Sequence, residues 1–555
     1  MSDTVRARHL ALAEEATVAA LLRCCIREIA GPRGRVRTAG PYLTARIAGT
    51  PVRTRAGGGI ALRFTGPAEL LEGGSWRRLT SAELVGLIER ELGAGGEVND
   101  EFGAQVAASR DAIAALLAAR ERADPPADPW LASEQALVTG HPFHPSPKAG
   151  VAAPGYAPEA HARFRLRLLG VRADLVAEGG DTAVLDRLGL APPGYVPLPA
   201  PPWQLELLAP DLAGPLADGR LIDLGHCPGL AVPTSSVRTV YHPGTGVCLK
   251  FSLNVRITNC VRKNAWYELA GAVELTRRLR PVFDELAGRH PGTRWLPEPG
   301  YRSAALGTRL LEGLGVIVRS APWQVCGAGV TPLLAGALAA PPYGPAASAG
   351  APPGVPEAVR ARRAADPVTW WRAYVERVVP PVLDAYADHG VVLEPHLQNV
   401  LIGVDADALP AEVIFRDLEG TKLVAGRHDL SGLPARVAAA LTYEPERGWN
   451  RMAYCLVVNH LAEVAATVAA SARDARRPEH RERLLGELWA VAAEVVARHA
   501  GGRPPVRELL SRCSLPAKAN LGVRWRRAAD RAAGYVPVPN PFVRAGSAGR
   551  SGKAW

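Results

Sequence analysis

Three stretches of this chain carry residues whose types and spacing could do chemistry. The first, Gly140-His-Pro-Phe-His-Pro-Ser-Pro-Lys148, puts His141, His144 and Lys148 on a loop stiffened by three prolines. Preset φ angles reduce the entropy of holding polar groups in one geometry. The two histidines lack a third ligand nearby in sequence, which argues against a transition-metal site. The second, Ser235 to Leu253, reads as a β-hairpin. With Gly244-Thr245-Gly246 as its loop, Arg238 lies opposite Ser252, Val240 opposite Lys250 and Ser236 opposite Asn254. Ser236, Arg238, Lys250 and Ser252 then share a cationic, hydroxyl-bearing face, and Val237, Tyr241, Leu249, Phe251 and Leu253 share an apolar one. Behind it, Ile257-Thr258-Asn259-Cys260-Val261-Arg262 reads as a helix start with Thr258 and Arg262 on one side. Such a face suits a polyphosphate or carboxylates. If Lys250 points away from the apolar layer, its replacement should cost turnover and little stability.

The third stretch is Glu394-Pro-His396-Leu-Gln398-Asn399, followed by a strand ending Arg416-Asp417-Leu-Glu419-Gly420. Two acids, an amide and a histidine on successive strand edges can hold Mg²⁺ and phosphate. Asp417 and Glu419 would point to one face if the strand persists, and then need a cation, or an arginine such as Arg416, to offset their repulsion. The spacing is similar to that of small-molecule kinases of the aminoglycoside-phosphotransferase kind, with Glu394 where the base Asp would stand. No Gly-rich phosphate loop precedes a lysine of the kinase type.

The elements that must position these residues are mixed. Helical periodicity over the first ~30 residues gives way to short alternating runs from Tyr42 to Thr65, then to helices around Ser81–Leu92 and Glu101–Arg122. Strands and helices mix from Trp130 to about Ala340. Beyond the Pro/Gly/Ala-rich segment the pattern is mainly helical, over Pro367–His389, Arg451–Ala472 and Glu479–Ala500. A single strand pair interrupts it, around Asn399–Val404 and Val413–Leu418. The fold class expected is α+β, divided at 1–129, 130–340, a loop at 341–356, 357–533, and a disordered tail at 534–555.

Composition bounds the function. A chain of 555 residues with 48% hydrophobic and 21% charged residues is ordinary globular material, which excludes a disordered chain, a collagen and a coiled coil. The net charge is +11, but the basic residues are scattered, with no basic arm and no interleaved aromatics, so a small anion is favoured over a polyanion. Only six of the 65 basic residues are lysine. Where any positive charge would serve, this chain writes Arg, so a retained Lys points to a site that needs a compact ammonium. Eight cysteines form no CxxC pair, so neither a disulfide framework, a structural zinc nor an iron–sulfur cluster is expected. The longest uncharged stretch, Ser320 to Pro356, is broken by Pro and Gly, and the start of the chain carries no signal-type apolar core; the expectation is a soluble cytoplasmic protein.

GHPFHPSPK, the SSVRT, Lys250 and ITNCVR string, LEPHLQNVLI, FRDLEG and Lys518-Ala-Asn-Leu together resemble the nonribosomal-peptide-synthetase-independent siderophore synthetases of the aerobactin-synthetase type. The match runs in order from about Gly140 to Arg524. The resemblance implies a cupped hand of thumb, fingers and a distantly kinase-like palm. It also implies ATP-dependent condensation of a carboxylic acid, typically citrate or a derivative, with an amine, hydroxylamine or alcohol through an acyl-adenylate. ATP and Mg²⁺ are the cofactors so implied. Small molecules are the partners, with neither nucleic acid nor membrane, and a homodimer is allowed.

Carried over by motif, Ser236, Arg238, Thr239, Lys250 and Arg262 would hold the ATP phosphates. His396, Gln398, Asn399, Asp417 and Glu419 would complete the nucleotide and Mg²⁺ site, with Asn399, Asp417 and Glu419 on the metal. His141, Lys148, Thr258, Asn259, Arg262, His396 and Lys518 would surround the carboxylate and the α-phosphate, with His141, Lys148, Arg262 and His396 as the catalytic set. Where the family often reads His-Pro-Trp-Gln, this chain has Pro201-Pro202-Trp203-Gln204. The first 130 residues carry no motif. The alternatives are a small-molecule phosphotransferase and a non-catalytic anion-binding protein.

Overall fold

The computed structural model describes residues 3–150, 154–257, 260–261, 263–341, 354–475, 477–528 and 533–545. Thr258, Asn259 and Arg262 lie outside them, as does most of the Pro/Gly-rich segment. The architecture is α+β, as expected.

The N-terminal region is an antiparallel meander, Val36–Ala39, Tyr42–Ile47, Thr50–Gly57, Glu69–Glu72 and Ser75–Arg78, covered by the helices Asp3–Cys25, Ser81–Gly93 and Phe102–Arg120. The Ser81 helix starts where Thr80 and Glu83 form a reciprocal capping box. Leu21, Ile47, Ile88 and Phe102 form its core together with Leu521 and Trp525 from the far end of the chain.

The hairpin strands belong to a six-stranded antiparallel sheet, in the order Val232–Pro233, Thr239–His242, Val247–Phe251, Val316–Ser320, Gly300–Ala304, Val176–Gly180. Its register is one residue from the expected one. Thr239, not Val240, pairs with Lys250, and His242 pairs with Val247, so Pro243 joins the loop. Tyr241 accordingly sits on the Lys250 side and Val240 on the Leu249 side. The stretch after Arg256 does not open a helix: Arg256 pairs with Val261 and Ile257 with Cys260 in a short antiparallel ladder, and the helix begins at Trp266.

A second sheet takes Thr293–Trp295 and Thr331–Leu334 from the middle of the chain and Val400–Val404 and Pro410–Phe415 from the later part. The helix Pro367–Ala387 packs against it, and Pro478–Ala500 packs on that helix. The segment Pro445–Ser471 is long and apolar enough to cross a membrane by length and composition, but its apolar window is wholly buried in the protein. The expected disordered tail is corrected in part: Tyr535–Pro539 pairs antiparallel with Ser514–Lys518, and Pro541–Ala545 is helical. Prolines are tolerated there because the pair is a two-stranded ribbon with free edges.

Candidate functional site

Lys250 is the hub of the site. On its strand it shares a face with Cys248, which pairs with Arg319 of the neighbouring strand, so Lys250 and Arg319 project together. Lys250 is 1% exposed, and its Nζ lies 2.6 Å from Asp417 Oδ1, 2.9 Å from Glu419 Oε2 and 3.6 Å from Glu298 Oε1. Arg319 donates to Glu298 Oε1 at 2.8 Å and to Asp417 Oδ1 at 2.9 Å. Arg238 donates to Glu419 Oε2 and to Asn264 Oδ1, each at 2.6 Å. The expected cationic face is therefore matched, three cations to three carboxylates, and both faces of its strand are buried. Arg416 does not join it. That guanidinium forms a buried pair with Glu134, which also accepts from Ser235 N and Oγ.

The strand before the acid pair ends at Phe415, short of expectation, and Asp417 adopts a left-handed φ of +70°. Such a conformation is uncommon for a residue with a Cβ. The turn still delivers both carboxylates to the same ammonium. Burial opposes ionisation of Asp417, but Lys250 and then Arg319 hold its carboxyl well below the usual range; Arg238 and Lys250 likewise bring Glu419 down to about 2 against burial. Glu268 next to them is pushed up to about 7 by burial and then by the charge of Glu419. Asn399 is buried with its Nδ2 unpartnered. Two carboxylates within reach of one cation, beside an amide, are a hard oxygen donor set that suits Mg²⁺, which completes its shell with water and phosphate oxygens. Among the described residues no group of three His, Cys, Asp or Glu forms a metal cluster.

This network borders a cleft of about 1500 Å³ lined by Ser236, Arg238, His396, Gln398, Asp417, Glu419, His141, Lys148 and Lys518 among others. A smaller cavity beneath shares Ser236, Arg238, Gln398 and Asp417 and adds Thr239, Lys250 and Asn399. The sequence-predicted residues that are described thus converge. Lys148 is engaged by the buried Glu159, and Ser236 Oγ accepts from Thr239 N at 3.2 Å. Gln398 Nε2 donates to Ser235 O at 2.8 Å, tying the histidine-bearing turn to the hairpin.

His396 Nδ1 accepts from Gln398 N, so its neutral ring carries its proton on Nε2, whereas His141 Nδ1 accepts from Phe143 N while its Nε2 faces Asn459 Nδ2 at 2.8 Å. Burial lowers His396 to about 4 and His141 well below the ordinary histidine value. Both rings are therefore uncharged at neutral pH, and His396 presents an Nε2–H donor. Gln204 is buried and holds Asn254 N at 2.8 Å and Gly313 O at 2.7 Å, so the Pro-Pro-Trp-Gln variant keeps a positioning glutamine. Missed from sequence were Arg319, Glu298 and Glu268, which have no local motif; Lys422 was picked out by lysine scarcity alone.

Buried neutral histidines make stability depend on pH. His460, also lowered to about 4 by burial, lies 2.6 Å from Tyr374 Oη and 2.7 Å from Pro395 O. With His161, also at about 4, and His141, these rings bind protons when unfolded but not when folded between pH 4 and 6.5. Their stabilisation is complete above pH 6.5 and is lost as pH falls towards 4, up to about 1.4 kcal/mol per pH unit for each. Glu28 and Glu268, both raised to about 7, act with the opposite sign but are fewer. Tm should fall between pH 7 and 5, and His460→Gln should flatten that slope. A slope left unchanged by His460→Gln would mean that this ring titrates alike in the folded and unfolded protein.

Residues 129–340 match the IucA/IucC family model, and residues 368–533 match a family described as ferric iron reductase FhuF-like transporter. The likeness to the IucA/IucC family is thus carried by the segment that holds the hairpin. It is 28% identical over 450 residues to L-2,3-diaminopropanoate--citrate ligase of Staphylococcus aureus, covering 75% of both chains. It is 27% identical over 464 residues to spermidine-citrate ligase of Bacillus anthracis, covering 75% of this chain and 74% of that one. The fold of ATP-bound aerobactin synthetase IucA from Klebsiella pneumoniae superposes with a TM-score of 0.77 at 22% identity, over 95% of this chain and 99% of that one. The IucA/IucC match contains the hairpin, and the second match contains His396, Asp417 and Glu419, so the ion network joins the two matched segments.

Proposed function

We propose that this protein is a cytoplasmic ligase of the siderophore-synthetase kind that uses ATP to activate a carboxylate of citrate or a citrate derivative and transfers the acyl group to an amine, hydroxylamine or alcohol. The observation that carries this reading is the interlocked set of Lys250, Arg319 and Arg238 with Asp417 and Glu419 at the cleft. Such a set can exchange partners with a magnesium-bound nucleotide, the cations turning to phosphate oxygens and the carboxylates to the metal. When bound, Mg²⁺ would neutralise phosphate charge, held by Asp417, Glu419 and Asn399. Ser236 and Thr239 would supply hydroxyls to the phosphates. His396 would donate Nε2–H, and Lys518 its ammonium, to the carboxylate substrate beside His141, with Thr258, Asn259 and Arg262 completing the site.

In the first step a carboxylate oxygen attacks the α-phosphorus and pyrophosphate leaves. In the second the amine attacks the acyl carbon, the C–N bond forms, the acyl C–O bond to AMP breaks and one proton is released. Positioning and charge neutralisation supply the catalysis. Cys248 is no nucleophile, since burial pushes its thiol up to about 12. The relatives named above act on citrate by their names, with a diamino acid or spermidine as the other substrate. The test is ATP consumption across a panel of carboxylic acids with hydroxylamine as surrogate nucleophile. AMP and pyrophosphate should form with citrate or a citryl compound. Turnover with no polycarboxylate would defeat the reading, and ADP as product would favour the phosphotransferase.

A further inference from the structure

Past His141 the cleft continues along the Pro445–Ser471 helix to a second charged locus. Asn459 Nδ2 lies 2.8 Å from His141 Nε2, and Glu463 follows four residues later, just past the π-helical stretch Tyr454–Leu461. Glu463 is 2% exposed; its Oε2 pairs with Arg63 at 2.7 Å, while its Oε1 is buried without a partner. Arg63 Nη2 also donates to Ala339 O at 2.9 Å and Thr467 Oγ1 at 3.0 Å, and its Nε is buried and unpartnered. Arg23 donates Nε to Leu62 O at 2.8 Å and lies 5.0 Å over the Phe64 ring; its terminal nitrogens meet no acceptor among the described residues. Arg23, Arg63 and Glu463 all line the cleft, and the buried Arg27 adds a third guanidinium to the field. Burial, then repulsion from Arg63, brings Arg23 down to about 10, as expected where cations are crowded and short of anions.

Orphaned buried polar atoms and an excess of guanidinium groups over carboxylates call for a ligand. It must bring a carboxylate for the arginines and a donor for Glu463 Oε1. A tricarboxylate would set a negative charge against Glu463, and a polyamine would leave the arginines unanswered. We propose that this locus binds the nucleophile as an amino-acid zwitterion, its carboxylate on Arg23 and Arg63 and its α-ammonium on Glu463, with a second amine on the side chain directed towards His141. A side chain of a few carbons spans the four-residue step from Glu463 back to Asn459. The proposal rests on the ligase reading and narrows its nucleophile to amines that carry a carboxylate.

The test uses the full chain with ATP and citrate and measures AMP formation with amine pairs that differ only in the carboxylate. These are 2,3-diaminopropanoate against ethylenediamine, ornithine against putrescine, and lysine against cadaverine. At least one pair should favour the amino acid in kcat/KM by about 30-fold or more, as charge-assisted contacts predict. Arg23→Gln should reduce that ratio to within about 3-fold of unity; a ratio within one preparation is unaffected by the fraction folded. A hydroxylamine control separates the failures. With AMP formed from hydroxylamine, an equal response to both members of every pair, no response to any pair, or a preference that survives Arg23→Gln would each overturn the zwitterion site. No AMP from hydroxylamine would overturn the ligase reading itself.

Discussion

Asp417→Asn should lower pyrophosphate release by about 10³-fold or more, while Glu394→Gln stays within about 10-fold of the parent. Asp417 is one of the two carboxylates that share the Lys250 ammonium, so it is placed to exchange that cation for a metal. An amide keeps the shape and loses the charge. Lys250 would still be held by Glu419 and Glu298, so the fold should persist, which a melting curve checks. Glu394 differs in kind. Its Oε1 accepts from Arg451 Nε at 2.5 Å, and Gly420 makes room for it, since a Cβ there would stand 2.4 Å from Glu394 Oε2. A carboxylate engaged by a guanidinium is a poor acceptor for a substrate proton, and a carboxylate substrate attacks phosphorus already ionised. A kinase would need Glu394 as its base. Loss of all turnover in Glu394→Gln, with ADP as product, would therefore decide for phosphotransfer.

What could be read from the sequence was the polar strings, because each puts its chemistry within a few residues. The hairpin register could not be read. Alternation fixes register only where one face is wet, and here every residue from Val247 to Phe251 is buried, so both candidate registers look alike. His242 settles it, held 3.1 Å from Thr245 Oγ1 and 2.8 Å from Pro228 O, which draws Pro243 into the loop. Arg319 was invisible because strand pairing brings it to the site, and Glu298 because the loop before the Gly300–Ala304 strand does. Lysine scarcity was a partial guide: Lys148, Lys422 and Lys518 line the cleft and Lys250 the cavity beneath it, but Lys263 pairs with Glu312 away from both. The first 130 residues offered no motif because their contribution, Arg23 and Arg63, is two isolated arginines among 59.

Lys250→Ala should lower turnover by about 10²-fold or more, and it should also destabilise the protein by about 3–5 kcal/mol, the cost of leaving a buried charge without its partner. The second half reverses the expectation from the hairpin alone. Lys250 does face away from the apolar layer, but it faces Glu298, which is 0% exposed, and the acid pair. Burial disfavours its charge, yet Asp417, Glu298 and Glu419 together raise its pKa above the ordinary lysine value. Lys250→Arg should also be impaired, because a planar fork cannot sit where one compact ammonium meets three carboxylates. A double-mutant cycle separates the two effects. Lys250→Ala with Asp417→Asn removes one anion along with the cation, so part of the lost stability should return while turnover stays lost. If Lys250→Ala melts and turns over like the parent, the network is neither holding the fold nor preparing the phosphate site. If the double variant is as unstable as the sum of the singles, the lysine and the aspartate are not the coupled pair their 2.6 Å contact implies.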